Sequence, residues 1–201
     1  MRAEGHYGFA ALVLSPLAYA ATLTGMNPRD ATTMLFLAIS LSTLPDIDLR
    51  LRVKHRGPTH SAIFACIIGL GMGALLSYSG LPFYLGLSAT ILASLTHLAA
   101  DALTYRPFNP LYPLADLRVA LRLVRADDPV VNYGFMKLGT INLAAFLIAS
   151  NPGARRALEE SLRIGASPAR ILGLMIGVVF AALILVLIAS GYSRRRRRRR
   201  R

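Results

Sequence analysis

Long apolar runs, separated by short polar or charged stretches, dominate the chain. A helix that spans a bilayer needs about 20 mostly apolar residues, and several runs approach or reach this length. They are residues 7–23, 31–44, 61–78, 83–103, 134–149 and 171–192. Because an isolated strand cannot satisfy its backbone polar groups in lipid, each run is predicted to be a helix. The pattern therefore predicts an all-α fold, a polytopic helical membrane bundle with about six membrane helices.

The runs differ in strength. Those at 61–78, 83–103 and 171–192 are the longest and most apolar, whereas the run at 31–44 has only 14 residues. A tilted or half-buried helix is therefore the alternative for 31–44. Several glycines in the third and sixth runs suit close helix packing in a membrane. They are Gly69, Gly71, Gly73, Gly173 and Gly177.

The composition supports one membrane-embedded unit. Of the 201 residues, 54% are hydrophobic, and this length suits one domain at 1–192 with a tail at 193–201 that we predict to be disordered. The net charge is +13, but residues 194–201 are all arginine and supply eight of these charges. A single cysteine, Cys66, excludes a disulfide framework and a cysteine-rich zinc site. A metal site in this chain must therefore use histidine and carboxylate ligands.

Lysines and arginines near the helix ends predict the orientation, because cytoplasmic loops carry an excess of them. With six spans, the two termini, the second loop and the fourth loop share one side of the membrane. That side holds 18 of these residues against five on the other, or ten against five without the tail. We therefore predict a multi-pass protein of the cell (inner) membrane with both termini in the cytoplasm.

The predicted topology gathers all four histidines at the cytoplasmic face, beside three aspartates. These candidate metal ligands are His6, Asp46, Asp48, His55, His60, His97 and Asp101. Imidazole and carboxylate groups are ligands for zinc, manganese and iron. The histidine positions played no part in setting the topology, so their convergence is an independent indication of a metal site.

Taken singly, these positions also have ordinary interpretations. His6 could be an interfacial residue, His60 a helix-start residue, and His55, between Lys54 and Arg56, part of a basic loop. The loop aspartates could simply end the second helix. His97 and Asp101, near the end of the fourth run, are harder to dismiss. Because they are four residues apart, their side chains share a helix face. Ionisable residues within a membrane span are also costly and usually functional.

The turn at Arg56-Gly57-Pro58-Thr59-His60 precedes the third run. Thr59 is predicted to cap the helix that follows, and a helix start offers free N–H groups to an anion such as phosphate. Arg56 could then bind phosphate in a bidentate manner. The equal alternative is that this turn only starts a helix.

Three strings carry a resemblance to a known family. They are Pro45-Asp46-Ile47-Asp48, His55-Arg56-Gly57-Pro58-Thr59-His60-Ser61 and His97-Leu98-Ala99-Ala100-Asp101. Together with the N-terminal histidine they resemble the inner-membrane-associated metal-dependent hydrolases, one bacterial member of which is described as LexA-binding. The resemblance covers about residues 5–115 and implies a hydrolase without naming its substrate.

That family is in turn distantly similar to zinc-dependent phospholipase C and to single-strand nucleases. Those enzymes use an N-terminal histidine, an aspartate followed about 14 residues later by histidine, and a helical His-x-x-x-Asp. His6, Asp46 with His60, and His97 with Asp101 match this order. A second helix with His-x-x-x-His or His-x-x-x-Glu is missing from the sequence. The resemblance therefore implies a phospholipase C/nuclease-like helical metal site with one or two ions, zinc first and manganese second.

We therefore predict a membrane-bound metal-dependent hydrolase that acts on a phosphoester, lipid or other. A metal would lower the pKa of water and polarise a phosphoryl or acyl oxygen. Asp48 or Asp101 is predicted as general base or bridging ligand, with Arg56 assisting. His60, His97, Asp101 and Asp46 rank first as metal ligands, His6 next and His55 last.

Two other functions stay open. One is a non-enzymatic module that recruits a cytoplasmic regulator or nucleic acid through basic segments, and the other is a metal or proton transporter. Residues 115–125 are predicted to form a basic amphipathic helix on an anionic membrane surface, or else a solvated loop helix. The tail is predicted to bind anionic lipid headgroups; having no aromatic residue, it would bind nucleic acid only without sequence preference. The sequence does not indicate an oligomeric state.

Overall fold

The computed structural model describes residues 1–51, 55–162, 165 and 167–198. Its helices are α1 Ala3–Leu23, α2 Pro28–Leu41, α3 Ile47–Leu51, α4 Ala62–Tyr78, α5 Phe83–Ala102, α6 Pro129–Ser150, α7 Pro152–Leu162 and α8 Pro168–Arg198. Of two short 3-10 turns, Leu44–Asp46 comes directly before α3 and Pro58–His60 comes shortly before α4. The described residues contain isolated β-bridges but no named strand. The all-α prediction is therefore confirmed.

All the predicted helices exist, but they differ in their capacity to cross a bilayer. Four are long and apolar enough: α1, α5, α6 and the Pro168–Gly191 part of α8. Helix α4 is apolar but has 17 residues, and α2 has 14. Four candidate spans are thus present among the described residues, and six crossings stay a prediction. Helix α7, which is largely polar, was not predicted from the apolar pattern.

Helices α1 and α6 pack against each other at glycines. A Cβ atom on Gly8 would collide with the backbone of Phe135 and Met136, and one on Gly139 would collide with the Gly8 carbonyl. Only glycine permits this backbone-to-backbone approach, which is common between membrane helices. The crossing holds the first turn of α1 against the start of α6.

The predicted glycine contacts are correct for two positions. Gly69 lies against Leu87 and Gly73 against Phe83, so both allow α4 to approach α5. The prediction is wrong for Gly71, Gly173 and Gly177, where an added Cβ would have no atom of the described residues within 4 Å. A glycine count along a helix therefore overestimates the packed positions, because it does not show which face meets a neighbour.

Two polar side chains connect helices within the bundle. The buried Asn142 donates to the carbonyl oxygens of Leu12 at 2.9 Å and Met175 at 3.2 Å, and so links α6 to α1 and α8. Asn132 accepts from the Arg2 amide at 3.1 Å, at the start of both α1 and α6. Buried amides are costly unless paired, so these bonds hold the helices in register.

Local caps define where the helices near the site begin. The Ser61 hydroxyl accepts from the Phe64 amide at 3.2 Å and caps α4. The prediction that Thr59 is this cap is wrong, because Thr59 instead donates to Asp48 at 3.0 Å. Asp128 accepts from the amide of Val130 at 3.0 Å at the start of α6.

Residues 115–125 do not form the predicted surface helix. Val119 pairs with Phe108 through two backbone hydrogen bonds of 2.9 and 3.3 Å, and the Leu123 amide donates to the Leu103 carbonyl at 2.9 Å. Val124 is fully buried. A helix of about ten residues is marginal in water, so pairing with the chain that leaves α5 outcompetes it.

Some predicted features involve residues outside the part of the chain that the structure describes. Arg52 and Lys54 of the second loop, and Arg163 of the fifth, entered the charge count and lie outside the described residues. Helix α8 continues to Arg198, and residues 199–201 lie outside as well. Disorder of the 193–201 tail stays a prediction.

Candidate metal centre

The ends of four segments meet at one end of the helix bundle. These are the first turn of α1, the turn after α2, the turn before α4 and the last turn of α5. They bring together the whole predicted set: His6, Asp46, Asp48, His55, His60, His97 and Asp101. Five of these side chains (His6, Asp48, His60, His97 and Asp101) are at most 1% exposed.

Three imidazoles converge on two carboxylates at the centre. The Nε2 atoms of His6, His60 and His97 lie 3.8, 3.5 and 3.6 Å from Asp46 oxygens. The same atoms lie 3.6, 3.7 and 3.9 Å from Asp101 oxygens. Ligands that share an ion at about 2.0–2.2 Å are separated from one another by about 3–4 Å. The spacing therefore fits donors arranged around a common point.

In His97 and His60, contacts at the Nδ1 atom orient the imidazole ring so that Nε2 faces the centre. His97 donates from Nδ1 to the Ser42 carbonyl at 2.8 Å. His60 Nδ1 lies 3.1 Å from the Thr59 hydroxyl and 3.3 Å from an Asp48 oxygen. A proton held on Nδ1 leaves the Nε2 lone pair free, as metal-binding histidines require.

His6 is buried with no hydrogen-bond partner on either ring nitrogen among the described residues. Its ring stacks on that of His97, with centroids 3.9 Å apart and planes 9° apart. Burying an unpaired polar ring is costly, and native proteins rarely leave such groups unsatisfied. An ion bound at Nε2 would supply the missing partner, so the residues present fit a metal.

Asp48 lies behind His60, not at the centre. Its fully buried carboxylate accepts from His55 Nδ1, the Arg56 amide and the Thr59 hydroxyl, each at 3.0 Å. Burial raises the pKa of Asp48, but these hydrogen bonds outweigh it and bring the pKa below its usual value. Asp48 is therefore ionised at neutral pH and orients two histidines.

Asp46 is the centre's accessible carboxylate, with a side chain that is 20% exposed. Burial raises the pKa of Asp46, while the hydrogen bond with His60 and the charge of His97 lower it, with a net decrease. Asp46 also lies within reach of His55 and His60, which gives a second group of possible ligands. His55 is 27% exposed and so lies at the edge of the site.

Arg56 is committed to contacts inside the protein. Its Nη2 lies 2.8 Å from Asp101 and donates to the Thr104 hydroxyl at 3.1 Å, and its Nη1 donates to the Arg106 carbonyl. The residue has a positive φ of 63° and is 8% exposed. It therefore holds Asp101 in place and has little capacity left for the predicted phosphate contact.

A family model described as YdjM inner membrane protein matches residues 1–196. The chain belongs to the YdjM inner membrane protein family. No curated protein and no solved structure matches it. Membership places this YdjM-family chain in the inner membrane, in agreement with its long apolar helices.

Several contacts of this YdjM-family site carry no signal in the sequence. The Ser42 carbonyl and the terminal amino group of Met1, which lies 2.6 Å from Asp101, are main-chain groups. Thr104 follows Asp101 by one helical turn and could have been noticed as a neighbour, since its hydroxyl donates to the Asp101 carbonyl at 2.8 Å. The remaining contacts depend on tertiary packing.

Proposed function

We propose that this YdjM-family protein is a membrane-bound metal-dependent hydrolase that acts on a phosphoester at the cytoplasmic face. The observation that carries the proposal is His6, a buried imidazole without a partner among the described residues, beside two other imidazoles and two carboxylates with ligand-like spacing. Zinc is the first choice of ion and manganese the second, with one or two ions bound.

The proposed ligands divide into a centre and an edge. His6, His60 and His97 would bind through Nε2, and Asp46 and Asp101 through carboxylate oxygens. Asp101 touches all three imidazoles and suits a bridging role. His55, with Asp46 and His60, would form the second position if two ions bind.

When bound, the metal would supply a Lewis acid for a phosphoryl or acyl oxygen and lower the pKa of water. The chain's own contribution is to hold and orient the ligands. Asp48 would act through His60 and His55, because its oxygens meet those rings and not the centre. Asp48 is thus proposed as a positioning residue, and Arg56 as the residue that positions Asp101.

The proposed side of the membrane rests on charge. The excess of Lys and Arg at the end where the site lies favours the cytoplasm. Exposed arginines of the fourth loop and the arginine tail would attract anionic lipid headgroups. The substrate phosphoester could be carried by a lipid or be soluble.

Metal content of the purified protein tests the proposal. We expect tightly bound zinc or manganese by elemental analysis, lost in His97→Ala and in Asp101→Ala. Asp116→Ala is the matched control, because that side chain is 71% exposed and its ion-pair partner among the described residues is Arg118, not a histidine of the site. A wild-type protein free of transition metals, which also fails to bind added zinc, would refute the metal site.

A second measurement guards against variants that fail to fold. Added zinc should raise the Tm of the wild-type protein, since an ion that binds only the folded state stabilises it. His6→Ala should remove this increase. Its metal-free Tm should fall only through the lost packing of the buried ring on His97, because His6 makes no hydrogen bond to lose. An equal zinc-dependent increase in both proteins would contradict a role for His6.

The arginine tail favours the alternative of a non-enzymatic module that recruits a regulator or nucleic acid. In that case deletion of residues 194–201 should abolish the cellular function while His97→Ala preserves it. The hydrolase proposal expects the opposite result. Transport is less favoured, because the ionisable residues gather at one end of the bundle and do not line a path.

A further inference from the structure

A pocket of about 440 Å³ opens beside the candidate metal centre. Its lining includes Asp46, His55 and Arg56 of the site, together with Arg106 and Arg125. Because Asp46 is the accessible carboxylate of the centre, a molecule in this pocket would lie next to the proposed ion.

The three arginines of the pocket differ in what they already bind. Arg56 is paired with Asp101 at 2.8 Å, and Arg125 is held by Asp127 through two contacts of 2.9 Å. Arg106 is exposed and has no carboxylate within ion-pair distance among the described residues. Its guanidinium is thus the pocket's available donor for an anion.

The backbone of Arg106 is tied to the centre. Its carbonyl accepts from Arg56 Nη1, and the same guanidinium holds Asp101 through Nη2. The positions of a proposed metal ligand and of the Arg106 main chain are therefore coupled through one buried side chain. This arrangement gives Arg106 a defined place at the pocket edge, although its own side chain is exposed.

We infer that Arg106 binds the anionic phosphate group of the substrate in this pocket. A guanidinium matches phosphate oxygens in a bidentate manner and keeps its charge at all physiological pH values. The inference rests on the proposed function for the chemistry at the centre and adds to it the residue that selects a phosphate-bearing substrate. The role predicted for Arg56 belongs to Arg106, because Arg56 is occupied.

A second pocket, of about 660 Å³, also borders Asp46 and provides the control. It contains Arg50, but also Arg2 and Glu4, which lie 3.9 Å apart. The Glu4 carboxylate, held by Arg2 only at 3.9 Å, would repel an anion there. The Arg106 pocket also has a second carboxylate, Asp127, but Arg125 pairs with it through two contacts of 2.9 Å. We therefore assign the phosphate to the Arg106 pocket, and Arg50→Ala is the matched substitution of an exposed arginine.

Phosphate binding by the zinc-loaded full-length protein in detergent tests the inference. We expect inorganic phosphate to bind Arg106→Ala about tenfold more weakly than wild type, as the loss of a charge-assisted hydrogen bond predicts. Arg106→Lys should recover part of the affinity, and Arg50→Ala should match wild type. Equal affinities of wild type and Arg106→Ala would overturn the inference, as would a loss seen only in Arg50→Ala.

Hydrolysis of p-nitrophenyl phosphate gives an independent readout. Arg106→Ala should increase KM by about the same factor with kcat little changed, because the contact is made equally in ground and transition states. The metal content should stay at the wild-type level. A fall in metal content would show instead that Arg106 acts on the centre's structure, and would overturn the assignment.

The source of the phosphate is decided by competition against inorganic phosphate. Phosphatidic acid in mixed micelles tests a lipid substrate, and glycerol phosphate tests a soluble one. The compound that competes more strongly identifies the source. The difference in affinity between the two compounds should be smaller in Arg106→Ala. If neither competes, the inference is wrong.

Failure of the inference can be told apart from failure of the proposed function. Absence of metal in the wild-type protein would refute the proposed hydrolase function. Phosphate affinity that is unchanged in Arg106→Ala, in a metal-containing protein, removes only the role of Arg106. If a protein without metal binds phosphate through Arg106, the anion site would be supported and the hydrolase function would be refuted.

Discussion

At the scale of single residues, the role of each histidine follows from what lies behind it. The Ser42 carbonyl fixes His97, while Thr59 and Asp48 fix His60. His6 has only the stacking contact with His97. Two rings are thus oriented before a metal arrives, and the third would be oriented by the metal itself. Orientation by such outer contacts raises affinity for the ion.

Asp48→Asn tests whether contacts behind the histidine rings contribute to metal binding. The asparagine keeps the size of the side chain but loses the negative charge that meets His55 and His60. We expect zinc affinity to fall about 10- to 100-fold, the usual cost of losing an outer carboxylate, as measured by competition with a chelator. Asp116→Asn should leave the affinity unchanged. Wild-type affinity in a folded Asp48→Asn protein would show that the outer carboxylate has no such role.

At the scale of elements, the helices are set by local pattern, whereas the loop between α5 and α6 is not. Residues 115–125 have helical spacing of arginines and leucines, yet they pair with residues 102–108. The segment is too short to hold a helix alone, so tertiary contacts decide its shape. It forms part of the chain that carries Arg106, and so this pairing also shapes the proposed substrate pocket.

Gly8→Ala tests the crossing of α1 and α6. The added methyl group would meet the backbone of Phe135 and Met136, which cannot move aside as a flexible side chain could. We expect a cost of about 1–3 kcal/mol from overpacking, seen as a lower Tm. Zinc affinity should fall too, because α1 carries His6.

Gly71→Ala is the control for Gly8→Ala. Its Cβ would face open space on α4, and alanine is the better helix former by about 1 kcal/mol. It should therefore keep or raise the Tm. A Gly8→Ala protein as stable as Gly71→Ala would contradict the close approach of α1 and α6.

At the scale of the whole molecule, the site lies where helix ends meet. His6 lies at the start of α1, Asp46 after α2, His60 before α4, and His97 and Asp101 at the end of α5. If α2 and α4 cross the bilayer as α1 and α5 are able to, these ends all reach one face. The charge excess then predicts that this face is cytoplasmic.

Single-cysteine labelling tests this orientation. Cys66→Ser removes the native thiol, after which Asp116→Cys reports on the loop near the site and Glu160→Cys on α7. Both original side chains are exposed. We expect an impermeant maleimide to label Glu160→Cys in intact spheroplasts and Asp116→Cys only after lysis. Labelling of both from the same side would contradict the six-span arrangement.

The sequence by itself determined the helices and the membership of the site. The length of each apolar run predicts a membrane helix. Because successive helices emerge on alternate sides of the membrane, residues far apart in sequence come to one face. The convergence of His6, His60 and His97 therefore followed from local patterns. Their types and spacing also indicated a metal site without any contact being known. These features depend on hydrophobicity and connectivity, which every segment carries in its own residues.

The tertiary structure alone decided how those residues are used. It put Asp101 at the centre and Asp48 behind His60, occupied Arg56, left Arg106 available and unwound the predicted helix at 115–125. Each outcome depends on partners that come from other segments, often through backbone carbonyls and amides that every residue possesses. No local pattern encodes such a contact, because its energy arises only when packing has brought the two groups together.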